Sequence, residues 1–261
     1  MALAALIIVL LELLDGSIKS PSRFYALTGL NLLNSVNRVN FKKNSLDEIF
    51  SSLTIGRNNN ALFLGFLRKI RFDVEKSGKK IILVTSTRKG TGKSVFIEAL
   101  AHSLSLANKD VLLVDANFTH NSLTNDYGVE GTLEDFEMEG LRTDFSRLKD
   151  AIRETKIKGV HIIGCKGGDY TPDEVLAKNN ILNHLKVFSG HYDYVILEGP
   201  ALNDYSDSKE LSRYVDGILA VFSADSTINQ QDRESIQFLS GSGNHFMGSL
   251  LNKVESESID I

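Results

Sequence analysis

The residues most able to do chemistry lie between Lys79 and Leu104. An apolar run ends at Thr87, and Arg88-Lys89-Gly90-Thr91-Gly92-Lys93-Ser94 follows it. Apolar residues then recur with helical spacing. A strand that leads through a glycine-rich turn into a helix is the arrangement of a phosphate-binding loop, or P-loop. The spacing fits G-x-x-x-x-G-K-[ST], except that Thr87 stands at the position of the first glycine.

The residues of this loop have distinct expected roles in holding a polyphosphate. Gly90 and Gly92 let the backbone turn tightly and point N–H groups at phosphate oxygens, and the helix start adds partial positive charge. Lys93 is expected to reach the β- and γ-phosphates of ATP, and the Ser94 hydroxyl to ligate Mg²⁺. The predicted nucleotide-contacting residues are Arg88, Lys89, Gly90, Thr91, Gly92, Lys93, Ser94 and Val95. The flanking strand and helix disfavour the alternative, a glycine-rich surface turn with a solvated lysine.

Two acidic residues end later apolar segments. Asp115 ends DVLLVDA and Glu198 follows YDYVIL. Since ligands of parallel sheets collect at the carboxyl ends of the strands, both carboxylates are expected to face the P-loop crevice. They are therefore predicted as Mg²⁺ ligands together with Ser94, and as catalytic residues together with Lys93. For Asp115, a cap of the following helix is the alternative.

The elements that must position these residues alternate along the chain. Apolar segments predict strands at KIILVTS, DVLLVDA, GVHIIGC, YDYVILEG, GILAVFSA and FMGSLLNKV. Helical patterns occur at ALFLGFLRKIRFDVEK, SVFIEALAHSLSLA, EVLAKNNILNHLKVF, DSKELSRYV and INQQDRESIQFL. This alternation predicts an α/β, P-loop NTPase-like fold with a mostly parallel sheet covered by helices on both faces. Asn252, at the end of the last strand, could pair with an adenine edge.

Composition narrows the range of functions. The chain is 42% hydrophobic and 24% charged, as expected for a protein with a packed core. Its net charge of −4 gives no electrostatic footprint for nucleic acid. Cys165 is the only cysteine and stands in an apolar run, which favours a core position in a reducing compartment.

The N-terminal residues 1–14, MALAALIIVLLELL, predict a hydrophobic helix that precedes the domain. A helix of this length rises about 21 Å, less than the roughly 30 Å hydrocarbon core of a bilayer. We favour the end of a transmembrane or membrane-associated helix, with a buried helix and an interfacial helix as alternatives. Residues 15–60 are then predicted as a juxtamembrane linker, and residues 61–261 as a P-loop ATP-binding domain.

From about residue 15 to residue 254, the chain resembles the cytoplasmic P-loop domain of polysaccharide co-polymerases and their bacterial tyrosine kinases. The segments that carry the resemblance are LLDGSIKSP, LRKIRF, VTSTRKGTGKS, VLLVDANF, GTLEDF, TPDEVL, YDYVILEGPALNDYSDS, DGILAVFSADST and GSLLNKV. The resemblance implies an ATP- and Mg²⁺-binding domain at the cytoplasmic face of the bacterial inner membrane. Such a domain regulates exopolysaccharide chain assembly and export, with ATPase or protein-tyrosine kinase-like phosphoryl transfer. Its implied partners are a membrane-embedded co-polymerase part and further copies of the chain, contacted through Arg68 and Arg71.

The chain departs from that family at several positions. Asn117 stands at the second acidic position of an Asp-x-Asp pair, Glu198 replaces an aspartate, and Gly65 replaces a glutamate that precedes Arg68. The C-terminal segment VESESIDI contains no tyrosine, whereas the family kinases carry a tyrosine cluster there.

These departures leave several functions open. An autokinase would need another acceptor, such as Tyr25 or a second protein. A partitioning ATPase is an alternative because Arg88 stands where such proteins place a signature lysine. A pseudoenzyme that serves as an interaction platform is a further alternative, since Asn117 cannot act as a base.

Overall fold

A computed structural model of the chain describes residues 15–41, 45–51, 59–136, 145–176 and 180–255. Within these ranges one eight-stranded sheet has the order β1-β8-β7-β2-β6-β3-β5-β4. The strands are β1 (Leu32–Asn37), β2 (Ile81–Ser86), β3 (Val111–Asp115), β4 (Arg153–Glu154), β5 (Val160–Ile163), β6 (Tyr194–Ala201), β7 (Gly217–Ser223) and β8 (Phe246–Val254). The strand pairs are parallel except for the edge pair β4–β5. The predicted mostly parallel sheet and its six predicted strands are confirmed.

Helices pack on both faces of this sheet, as predicted. The α-helices of the described residues are α1 (Pro21–Thr28), α2 (Leu46–Ser51), α3 (Asn59–Ser77), α4 (Lys93–Ser105), α5 (Ser122–Tyr127), α6 (Phe145–Leu148), α7 (Pro172–Val175), α8 (Leu185–Phe188), α9 (Asp207–Leu211) and α10 (Gln230–Gly241). Successive residues of a strand point to opposite faces, so β2 contributes to two cores. Ile81 and Leu83 pack in one core, and Ile82 and Val84 pack in the other.

The segment after residue 14 differs from the prediction of a linker outside the packed domain. Helix α1 starts with Ser20 as its N-cap and Pro21 at its first turn, and it stops at Gly29 in the left-handed conformation. Its Phe24 is fully buried, with its ring 4.9 Å from that of Phe222. Strand β1 then pairs in parallel with β8 and extends the sheet. Residues 15–41 are therefore part of the packed domain.

The predicted helix EVLAKNNILNHLKVF is also not continuous. Helix α7 stops at Val175, and a short 3₁₀ turn, Ile181–His184, leads into α8. The Asn180 side chain accepts a hydrogen bond from the Leu182 N–H, so it starts the new turn instead of continuing a helix. Asparagine favours such caps because its side chain competes for backbone hydrogen bonds.

The predicted N-terminal hydrophobic helix, residues 1–14, lies outside the described residues. Among the helices that are described, none combines the length and the apolar character needed to span a membrane.

Candidate functional site

The P-loop connects the central strand β2 to helix α4. Strand β2 lies between β6 and β7, and α4 begins at Lys93 directly after the loop. Gly90 and Gly92 have φ values of +75° and +91°, which a residue with a Cβ adopts only with strain. No side chain caps the first turn of α4. Its first backbone N–H groups therefore face the loop without an intrahelical partner, which is the arrangement that binds an anion.

A cavity of about 390 Å³ opens at this point, along the carboxyl ends of β2, β6 and β8. It is lined by Val39, Phe41, Ser86, Arg88, Lys89, Gly90, Thr91, Gly92, Lys93, Ser94, Val95, Asn117, His120, Ser122, Glu198, Pro200, Ala201, Asn252 and Lys253. All eight predicted nucleotide-contacting residues of the loop lie on it, together with Glu198 and Asn252. The structure thus brings these predicted residues to one cavity.

Glu198 joins the two P-loop residues with the most specific expected roles. One of its oxygens, Oε1, accepts hydrogen bonds from Lys93 Nζ and from Ser94 Oγ, the latter at 2.7 Å. Glu198 is fully buried and Lys93 is 8% exposed, so the ion pair lies in a medium of low polarity. The other oxygen, Oε2, is buried and has no protein partner. The structure therefore holds a cation, a hydroxyl and a carboxylate within one small volume.

Asp115 does not face the P-loop cavity, although its place at a strand end predicts that it would. It pairs with Glu198 across β3 and β6, but it does not line the cavity. Its carboxylate accepts hydrogen bonds from the N–H and hydroxyl of Thr124, at 2.9 and 2.7 Å, and from the Asn117 N–H. Because Thr124 lies in the first turn of α5, this contact fits the alternative interpretation as a helix cap. Burial, and next the charge of Glu198, raise the pKa of Asp115 to about 7.

Arg88 and Lys89 line the cavity, but their charged groups contact protein partners. The Arg88 guanidinium makes a two-point ion pair with Asp232 of α10, which is fully buried. Lys89 Nζ hydrogen-bonds to Tyr205 Oη at 3.1 Å and lies over the same ring. In this arrangement both cations attach the loop to neighbouring parts of the domain.

The side chain of Asn252 contacts the P-loop. Its Nδ2 donates to the carbonyl oxygen of Thr91 at 2.8 Å, and its Oδ1 accepts from the Lys253 N–H. Both polar ends of the side chain thus contact the protein, and pairing with an adenine edge stays a prediction.

Several cavity residues were missed from the sequence. Val39 and Phe41 follow β1 and come from the segment that we had predicted as a linker. Ser122 Oγ lies 2.9 Å from Ser94 Oγ and links the start of α5 to the start of α4. Ser122 begins the helix that follows β3, and its place in the connection after a strand could have indicated it. Nothing local in the sequence could have found Phe41, because its position depends on the pairing of β1 with β8.

The predicted oligomer contact lies on another face. Arg68 of α3 is exposed, and Arg71 donates to the Ser103 carbonyl oxygen of α4 at 2.8 Å. Subunit contact through these arginines stays a prediction.

Two features of the cavity fit a nucleotide with its metal ion. Thr91 Oγ1 and Glu198 Oε2 are buried oxygens without a protein partner, one on the loop and one opposite it. Mg²⁺ in such sites is held by one or two protein oxygens and the phosphates, with water completing its shell. Ser94 Oγ and Glu198 are suitable donors. Asp115 does not line the cavity, so its role as a metal ligand stays a prediction.

The chain is similar to known proteins in sequence and in fold. A family model described as an AAA domain matches residues 79–212, slightly more than half of the chain. The chain is 28% identical over 199 residues to the tyrosine-protein kinase CpsD of Streptococcus agalactiae, covering 74% of this chain and 83% of that protein. The BceF tyrosine kinase domain superimposes with a TM-score of 0.71 at 23% identity, covering 91% of this chain and 99% of that one. The kinase domain of the Escherichia coli tyrosine kinase ETK also gives 0.71, at 18% identity and 94% and 97% coverage. These superpositions show a shared fold.

Proposed function

The chain belongs to the AAA domain family, and from this we propose that it binds Mg-ATP in the cavity between the P-loop and Glu198. The observation that carries the proposal is the convergence of Lys93 and Ser94 on one Glu198 oxygen beside the uncapped start of α4. A cation, a hydroxyl and free helix N–H groups in one place form a polyphosphate site. A solvated surface turn would hold none of these groups in a buried position.

Each group has a role in this proposal. Lys93 turns from Glu198 to the β- and γ-phosphates, and Ser94 offers its hydroxyl to Mg²⁺, which neutralises phosphate charge when bound. Glu198, no longer paired with Lys93, would help to hold the metal. The apolar side chains of Val39 and Phe41 in the cavity lining suit the base, because an aromatic ring offers a flat apolar surface for it.

We propose that the bound nucleotide is turned over slowly, with phosphoryl transfer to water or to a tyrosine hydroxyl. The kinase reaction is supported by the tyrosine-protein kinases among the chain's relatives. Asn117, on the cavity wall, weakens both reactions because an amide cannot accept the proton of the attacking group. This observation also favours a second candidate, a nucleotide-binding interaction platform without turnover.

The biological setting follows from the sequence resemblance. We propose that nucleotide binding regulates exopolysaccharide chain assembly and export at the cytoplasmic face of the bacterial inner membrane. The partners would be a membrane-embedded co-polymerase part and other copies of this chain, joined near Arg68 and Arg71. Sedimentation velocity with and without Mg-ATP tests the self-association. A monomer at high concentration in both conditions, unchanged by Arg68→Ala, would exclude it.

The first test is calorimetric titration of Mg-ATP into the full chain and into Lys93→Met. Lys76→Met serves as the matched control, because Lys76 is exposed at the end of α3. We expect saturable heat from the wild type and the control, and at least a tenfold weaker affinity for Lys93→Met. Absence of heat from the folded wild type would refute the nucleotide site.

The second test distinguishes an ATPase, a tyrosine kinase and a nucleotide-binding interaction platform without turnover. Release of ADP is followed with Mg-ATP alone, and the protein is then digested and searched for phosphotyrosine by mass spectrometry. Turnover without phosphotyrosine assigns an ATPase, and phosphotyrosine that is lost in Lys93→Met assigns a kinase. Saturable binding with no ADP release assigns the platform.

A further inference from the structure

The end of strand β8 contacts the P-loop at two successive carbonyl groups. Asn252 Nδ2 donates to the Thr91 carbonyl oxygen at 2.8 Å, and Lys253 Nζ donates to the Gly90 carbonyl oxygen at 2.7 Å. The sequence separations are 161 and 163 residues. Two adjacent residues of one strand therefore hold two adjacent peptides of the loop.

The backbone of β8 is distorted in a way that permits this double contact. Neighbouring side chains of a regular strand point to opposite faces of the sheet. Lys253 has φ of +61°, the left-handed region that residues with a Cβ rarely adopt. This local break in the strand brings both side chains to the same loop. Asn252 is also fixed in place, because its Oδ1 accepts from the Lys253 N–H and its carbonyl accepts from Ala224.

Holding these carbonyl groups has a consequence for the N–H groups of the loop. A trans peptide is planar, and its C=O and N–H bonds point in opposite directions. When the Gly90 carbonyl is fixed toward Lys253, the N–H of Thr91 must point away from β8. The same argument places the N–H of Gly92 opposite the Thr91 carbonyl. In a P-loop it is these N–H groups that surround the phosphates.

We propose that Asn252 and Lys253 are positioning residues that clamp the P-loop in its polyphosphate-binding conformation. The clamp acts through the orientation of the Thr91 and Gly92 peptides and not through contact of Lys253 with the nucleotide. This inference rests on the proposed function for its ligand, but its structural part can be tested without any ligand. It also gives Asn252 a role that differs from pairing with an adenine edge.

The first experiment measures amide hydrogen exchange of peptides that cover residues 88–94 in the nucleotide-free protein. Lys253→Met keeps the length and stem of the side chain and removes only the ammonium. Lys253→Gly relieves the left-handed strain and removes the same donor. Asn252→Asp keeps the shape and sets an acceptor against the Thr91 carbonyl.

The three variants should exchange about fivefold faster than wild type in this loop, as expected for the loss of one hydrogen bond. The control Lys76→Met should not change it. Lys253→Gly is the most informative of these variants. Without a clamp, relief of the backbone strain at residue 253 would stabilise the strand and would not speed exchange in the loop. Unchanged exchange in Lys253→Met and Lys253→Gly would overturn the proposal.

The second experiment compares affinities for Mg-ATP and for Mg-pyrophosphate, by displacement of a fluorescent ATP analogue. A clamp acts on the phosphate loop, so both ligands should lose the same factor of about five in Lys253→Met. A loss for Mg-ATP alone would show that Lys253 touches the nucleoside and would overturn the positioning role. If the wild type binds neither ligand, the proposed function fails, and the exchange experiment still decides the clamp.

Discussion

Replacement of Lys93 should cost folding stability as well as nucleotide affinity. Lys93 Nζ and Ser94 Oγ are the hydrogen-bond donors to Glu198 Oε1, and Glu198 is fully buried beside Asp115. Lys93→Met keeps the apolar stem of the side chain but leaves Glu198 with only the Ser94 hydroxyl. A buried carboxylate that loses its cation is poorly solvated, and a second carboxylate next to it makes the charge still less favourable.

The expected magnitude follows from the burial of the pair. Removal of one partner from a buried ion pair destabilises a protein by about 3–5 kcal/mol. Lys93 is 8% exposed at the cavity, so we expect the lower end, about 3 kcal/mol. The double variant Lys93→Met/Glu198→Gln removes both charges and should cost only about 1–2 kcal/mol, because no unpaired charge is left. The double-mutant cycle should therefore show a coupling of at least about 1 kcal/mol.

Urea denaturation at neutral pH, followed by circular dichroism, measures these free energies. The slope with denaturant should not change, and the midpoint should shift. Lys76→Met should remain within about 0.5 kcal/mol of wild type because Lys76 is exposed. A loss below about 1 kcal/mol for Lys93→Met would refute the reasoning. So would a double variant that is less stable than the single one.

Three further predictions concern other parts of the chain. Gly92→Ala should weaken Mg-ATP binding at least about tenfold in calorimetry, since φ is +91° and a Cβ would lie 2.3 Å from Asn252 Nδ2; unchanged affinity would contradict the loop geometry. Burial first, and then neighbouring acids such as Asp126, raise the pKa of Glu98 from 4.5 to about 7. The folded state therefore binds the proton more tightly than the unfolded state, and stability falls as pH rises from about 4.5 to 7. Glu98→Gln should flatten this decline in urea titrations at several pH values. A pH dependence identical to that of the wild type would exclude Glu98 as its source. Phe24→Ala should cost about 3–5 kcal/mol in urea denaturation because Phe24 is fully buried; a loss below about 1 kcal/mol would show that α1 is not part of the core.

Elements whose signals are local could be placed from the amino-acid sequence. Six strands could be placed because continuous apolar runs of strand length are typical of a sheet that is buried on both faces. The P-loop was found because its glycines, lysine and serine have fixed spacing between a strand and a helix. Glu198 was found because the carboxyl ends of parallel strands share one edge of the sheet.

The pairing of the ends of distant elements depends on how the whole sheet packs. Strand β1 is short and contains polar residues, and it becomes a strand only because β8 offers an open edge. Whether Asp115 faces the cavity or the start of α5 depends on where Thr124 lies, nine residues further along the chain. The direction of a side chain at a strand end is set by which donors are nearest, and sequence spacing does not contain that information.

The contacts between β8 and the P-loop likewise could not be predicted from the sequence. Asn252 was predicted as a nucleotide-contacting residue from its place at the end of a strand, and it lines the cavity. Its partner could not be identified, because the hydrogen bond to Thr91 spans 161 residues of sequence. The left-handed conformation of Lys253 is likewise not encoded by a glycine, so no local signal marks it. Local patterns identified the P-loop residues and Glu198, and packing of the whole sheet decides which other residues reach the site and which atoms they meet there.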